Sequence, residues 1–208
     1  MYRLNRVIVI VAFVFIIMGI LPWAAVAVSE SQSSIEQTFQ KAKKDYLKKN
    51  VNSAAEQIQK GASYMKAEAA KASVKGKEAL AASAQELEKL ADDVKKGTVT
   101  SVKRIEDAFA RAYFALASDS HIKSTESWTR KETAKAGEAL DSATKNLEKS
   151  FAWAGQKVEK STKEVMKKSE ELSLKLKKKG SLIAEDVGKG LKDTGNEIEK
   201  FEKRISSK

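Results

Sequence analysis

Cysteine is absent, proline and histidine each occur once, and only 10 of the 208 residues are glycine. Each scarcity excludes something. Without cysteine no disulfide staples the fold, and no thiolate is available as a metal ligand or nucleophile. The lone histidine, His121, rules out HExxH, and Ser118 stands where a Glu-x-x-His motif would need its glutamate. A Ser-His-Asp arrangement would have to use Ser120 and Asp119, which adjoin His121 too closely for that geometry. No Walker loop and no glycine-rich dinucleotide turn occurs. The reading assigns no catalytic residue, cofactor or metal, and the chain is expected to be a non-enzyme.

The shortage of helix breakers points the other way, toward structure. Pro22 is the only proline, and the chain is rich in Ala, Lys, Glu and Leu. Such a composition has strong intrinsic helix preference, so the predicted class is all-α. Much of the apolar share is alanine, which buries little area per residue and predicts thin, close helix packing.

The first residues read as an address. Arg3 and Arg6 precede an uncharged apolar run, Val7 to Leu21, after which Pro22 and Ala25-Val26-Ala27 offer a signal-peptidase site. Residues 1–27 are thus expected to be a signal peptide. The uncharged stretch 7–28 is also long enough to stay as an inner-membrane anchor. Either way the remainder is expected in the periplasm or outside the cell. The formal charge is +11, from 39 basic and 28 acidic residues. Nucleic acid is scarce after export, so the expected partner is an anionic membrane surface, an envelope polymer or another protein.

Along the exported part, apolar residues recur at helical spacing in four stretches joined by short breaks. Ile35, Phe39 and Ala42 begin the first. Ser53 with Glu56 suggests a capping box for the second. Lys75-Gly76 separates the third, Gly97 ends it, and Thr98 or Thr100 is expected to cap the fourth. Short connections predict an up-and-down antiparallel bundle over 34–117. Ser118-Asp119-Ser120 reads either as a turn or as continuing helix.

Beyond it, Leu140, Leu147, Phe151, Val158, Val165 and Leu176 share a seam that largely repeats after eleven residues. That pattern predicts one long amphipathic helix from about 121 to 179, broken at Gly180. Val187, Leu191, Ile198, Phe201 and Ile205 then form a heptad face, expected to fold back as a helical hairpin or to make a coiled coil. The second unit is accordingly placed at 121–208, with its break at 180.

The eleven-residue repeat, the Lys-Glu richness and the word KETAKAGEAL (131–140) resemble late-embryogenesis-abundant-like and apolipoprotein-like helices over 129–176. The resemblance implies reversible helix formation on surfaces or during drying. Three groups stand out as sites. Lys175, Lys177, Lys178 and Lys179 form the densest basic patch, suited to an anionic surface. The heptad face suits a partner helix or a second copy of the chain. His121, Trp128 and Trp153 would line one stripe of a continuous helix and could face a small ligand. The functional expectation is an exported scaffold binding an anionic envelope surface or a partner helix. The alternatives are a holdase-like or stress-protective protein and a small-ligand binder.

Overall fold

The computed structural model describes residues 23–178 and 182–206, with side-chain surroundings from Ser34 to Ile205. The described chain is all-helical, with no strand. Its helices are α1 (Trp23–Leu47), α2 (Val51–Ala70), α3 (Gly76–Lys95), α4 (Val102–Thr129), α5 (Thr133–Trp153), α6 (Lys160–Lys177) and α7 (Ala184–Ser206). Successive helices pack as antiparallel neighbours. α7 returns against α4 and α6, closing the bundle.

The connections explain the topology. Four of them share one hydrogen-bond pattern, in which the chain turns through a left-handed residue and recaptures the last carbonyls of the helix. Lys49 (φ 62°), Gly97 (φ 71°), Lys131 (φ 60°) and Gly155 (φ 62°) hold the left-handed position. At the α4–α5 turn, Lys131 N–H donates to Trp128 O at 2.9 Å and Glu132 N–H donates to Ser127 O at 2.9 Å. Equivalent pairs occur after α1, α3 and α5. Glycine adopts this conformation without steric penalty, whereas lysine does so at a cost of about 1–2 kcal/mol.

These turns overturn the expected long helix from 121 to 179. That stretch comprises the last part of α4, then α5 and α6, divided at Lys131 and Gly155. The eleven-residue spacing is present in the sequence, but the chain reverses direction twice within it. Ser118-Asp119-Ser120 is helix, inside α4. The expected boundary at 117–121 therefore falls within a single element. Two capping expectations also change. Ser53 donates to Asp45 Oδ2 at 2.7 Å instead of capping α2. Ser101, not Thr98 or Thr100, caps α4 by accepting from Lys103 N–H at 3.1 Å.

One core runs through the bundle. Phe39 of α1 stacks on Phe109 of α4 with ring centroids 3.9 Å apart, and Trp153 of α5 meets both edge-on. Phe201 of α7 lies against Phe151 at 4.1 Å, so α7 contributes to the same core. The small residues Ala54, Ala62, Ala84, Ala108 and Ala112 are fully or almost fully buried and let the helix axes approach. A smaller cluster, Leu140, Leu176, Val187 and Leu191, closes the end of the bundle where α4 turns into α5.

Candidate anionic-surface interface

Alternation of helix direction brings three connections to one end of the bundle. Tyr46 Oη donates to Val99 O at 2.8 Å, which ties the end of α1 to the α3–α4 connection. Lys103 Nζ donates to Ala154 O at 3.2 Å, which ties the start of α4 to the α5–α6 connection. Each connection carries two lysines: Lys48 and Lys49, Lys95 and Lys96, Lys157 and Lys160. All six are exposed, and none has a carboxylate within ion-pair distance among the described residues. Most nearby acids are engaged elsewhere. Asp45 accepts from Ser53, Asp93 holds Arg104, and Glu159 holds Arg204 at 2.9 Å. Asp92, Glu56 and Glu202 are exposed acids at this end with no ion pair among the described residues. Lysines at a helix C-terminus favour its dipole, which accounts for the pairs ending α1 and α3 but not for Lys160 at the start of α6. Convergence of three pairs adds a collective positive field.

This lysine end was not singled out by sequence reasoning, because its members lie up to 112 positions apart (Lys48 to Lys160). Basic residues mark the other connections too, Lys71 and Lys75 after α2 and Arg130 and Lys131 after α4, so no local signal set this end apart.

The patch that the sequence did single out lies at the opposite end. Lys175 and Lys178 are exposed, whereas Lys177 is half-buried and pairs with Asp141 at 3.2 Å; Lys179 lies outside the described residues. Arg130 and Lys131 occupy the neighbouring α4–α5 turn. Leu174, 51% exposed, and Ile183, 65% exposed, stand among these charges. Glu185 and Asp186 in the first turn of α7 partly balance them and suit that helix's N-terminal dipole.

The expected partner-helix face is already covered. Val187, Leu191, Ile198 and Phe201 are buried, and Ile205 is half-buried, all within the chain's own bundle. What the heptad pattern marked is an internal hairpin seam, partly polar. Ser169 Oγ and Thr194 Oγ1 meet at 2.6 Å, and Thr162 Oγ1 donates to Glu197 Oε2 at 2.6 Å. Burial opposes charge on Glu197, but hydrogen bonds from Lys200 and Thr162 outweigh it and hold the carboxyl below its usual range.

The expected aromatic stripe is not formed, because Lys131 places Trp153 on a different helix from His121 and Trp128. His121 Nε2 lies 2.8 Å from Leu191 O, packed beside Gly195. Trp128 is half-buried against the small end cluster. Trp153 belongs to the main core at the lysine end, with its Nε1 donating to Glu36 Oε2 at 3.4 Å. Glu36 also accepts from Tyr113 Oη at 2.5 Å and draws Lys149 to 3.9 Å. Burial, and secondly this hydrogen bond, push the Tyr113 phenol well above its ordinary range. Burial lowers the Lys149 ammonium. The network pins α1 to α4 and α5.

A shallow groove of about 200 Å³ runs between α3, α4 and the end of α7, lined by Ala79, Ala82, Ser83, Phe114 and Ile205. Its rim holds Arg111, forked onto Glu86 by Nε at 2.9 and 3.0 Å. The hydrogen bond that Arg111 donates to Glu86 raises the guanidinium above its ordinary value. Among the described residues, no cluster of three His, Asp or Glu side chains is arranged to hold a metal, and no helix is long and apolar enough to cross a membrane. Comparison of the chain with protein-family models, with curated proteins and with solved structures finds no match.

Proposed function

We propose that this protein is an exported, non-enzymatic helical scaffold that binds an anionic envelope surface by charge. The observation that carries the reading is the convergence of Lys48, Lys49, Lys95, Lys96, Lys157 and Lys160 on one end, exposed and unneutralised. Export rests on the apolar, cleavable character of residues 1–27. A partner helix is the weaker alternative, since the chain's own bundle covers the face meant for it. The Lys175 to Lys178 patch, with Lys75 and Lys131 exposed on the neighbouring connections, gives a second electrostatic contact at the other end.

Binding of this kind is steered by the summed field and weakens with salt, because exposed charges are screened over about 8 Å at physiological ionic strength. The test is binding of the full chain to a soluble polyanion across a salt series. Replacing the six lysines by glutamine is expected to weaken binding by roughly fivefold per lysine engaged and to flatten the salt dependence. Unchanged affinity and unchanged salt dependence in that variant refute the reading.

A further inference from the structure

We propose that the groove between α3 and α7 binds a small primary amine, with its ammonium on Glu202, an aromatic body over Phe114 and a hydroxyl paired with Ser83. None of the six lysines lines this groove, so the site is separate from the anionic-surface contact.

The groove follows from helix directions and side-chain lengths. Arg111 reaches Glu86 and Arg104 reaches Asp93, so α3 runs antiparallel to α4. His121 meets Leu191 and Phe114 meets Phe201, so α7 runs antiparallel to α4 as well. The two therefore lie parallel on either side of α4. On the side facing α7, α3 presents Ala79 and Ala82, both exposed, whose methyl groups are too short to close the gap. Phe114 and Ala115 of α4 are left as an apolar floor. At about 200 Å³ the space is smaller than the roughly 300–1,000 Å³ of drug-sized sites, which suits a ligand of one ring and a short chain.

Ser83 gives the second, independent sign of a ligand. It is 6% exposed and lines the groove, yet its Oγ has no hydrogen-bond partner among the described residues. Other hydroxyls in these helices donate back to the carbonyl four residues earlier: Ser63 to Gln59, Thr144 to Leu140 and Ser169 to Val165. Ser83 does not use Ala79 in that way. An unpartnered buried hydroxyl destabilises a fold, and alanine would fit in its place. A ligand hydroxyl supplies the missing partner, since a serine side chain held by no bond is free to rotate toward it.

Charge selects the ligand's other end. Of the two carboxylates on the groove, Glu86 is neutralised by Arg111, whereas Glu202 of α7 has no ion pair among the described residues. The groove thus carries one uncompensated negative charge on a protein of net charge +11. An ammonium meets that carboxylate and the Phe114 ring, whose face attracts cations. A carboxylate ligand meets repulsion there instead.

The test titrates the isotope-labelled full chain with three compounds and follows the amide resonances of Ala82, Ser83 and Ala115. Tyramine has the ammonium, ring and hydroxyl; phenethylamine lacks the hydroxyl; hydroxyphenylpropionate carries a carboxylate in place of the ammonium. Saturable shifts are expected with tyramine, about fivefold weaker binding with phenethylamine, and none with the carboxylate. Glu202→Gln is expected to weaken tyramine binding about fivefold. Ser83→Ala should remove the difference between the two amines while leaving the urea midpoint unchanged or raised, because no bond within the fold is lost. Ala82→Leu, at an exposed position, fills the groove and should abolish binding with helicity unchanged. Tyramine that moves no groove amide at millimolar concentration overturns the proposal, as does a carboxylate that binds as well as tyramine. So does an Ala82→Leu variant with the parent's affinity.

Discussion

Asp119 accepts hydrogen bonds from both the backbone N–H and the hydroxyl of Ser73, each at 2.8 Å. The carboxylate is buried, and Lys123 pairs with it at 2.6 Å. Ser73 Oγ in turn accepts from Gly76 N–H at 2.9 Å, so one aspartate of α4 organises the entire α2–α3 loop. A methyl group at Gly76 would stand 2.1 Å from Asp119 Oδ1, which is why that position has no side chain.

Asp119→Ala is therefore expected to destabilise the fold by about 2–3 kcal/mol, because it strands two buried donors of Ser73. Asp119→Asn, which keeps an acceptor, is expected to cost less. Urea unfolding followed by circular dichroism measures both. Equal losses for the two variants would mean that charge, rather than acceptance from Ser73, is what matters.

Tyr113 gives a prediction at high pH. Its folded-state phenol titrates above the unfolded value near 10, so on unfolding above that pH a proton is released. The native state then binds more protons than the unfolded one, and stability falls as pH rises past about 10. Tyr113→Phe is expected to be less stable at neutral pH by about 1 kcal/mol, through the lost hydrogen bond to Glu36, yet to show a shallower alkaline decline. Thermal unfolding between neutral and strongly alkaline pH tests this against the parent chain.

Glu197 gives the opposite sign at low pH. Its folded-state carboxyl titrates below the unfolded value, so its contribution is present above that value and is lost as pH falls through the folded one. Glu197→Gln should flatten the acid limb of the stability profile below about pH 5. An acid limb identical to that of the parent chain would remove Glu197 from the account of the α6–α7 seam.

Lys131→Gly is expected to stabilise the protein by about 0.5–1 kcal/mol, since glycine adopts the left-handed position without steric cost but adds unfolded-state entropy. Gly155→Ala should destabilise by about 1 kcal/mol for the converse reason, although nothing lies within 4 Å of the added methyl. Urea midpoints check both.

These turns also show what was legible in the sequence. All-helical character followed from composition, and Gly97 announced its own turn. Gly155 stood inside an apolar seam that continued on both sides of it, so periodicity outweighed a single glycine. At Lys131 there was no local signal at all, because hydrogen bonds to Trp128 and Ser127, not residue type, hold the left-handed conformation. The heptad face in α7 was correctly seen as apolar, but periodicity does not say whose surface covers it. Phe151 and the small end cluster do. The lysine end required the three-dimensional alternation of helices, since its pairs are separated by whole helical hairpins.

If placement of charge rather than net charge directs this protein to anionic surfaces, two variants with equal charge loss will bind differently. The direct measurement compares two variants with equal charge loss in polyanion binding at moderate salt. One replaces Lys48, Lys49, Lys95, Lys96, Lys157 and Lys160 by glutamine; the other replaces the exposed helix-side lysines Lys60, Lys89, Lys167, Lys168, Lys189 and Lys192. At least a tenfold weaker affinity is expected for the first than for the second, on the order of 1.4 kcal/mol. Equal affinities for the two would contradict it.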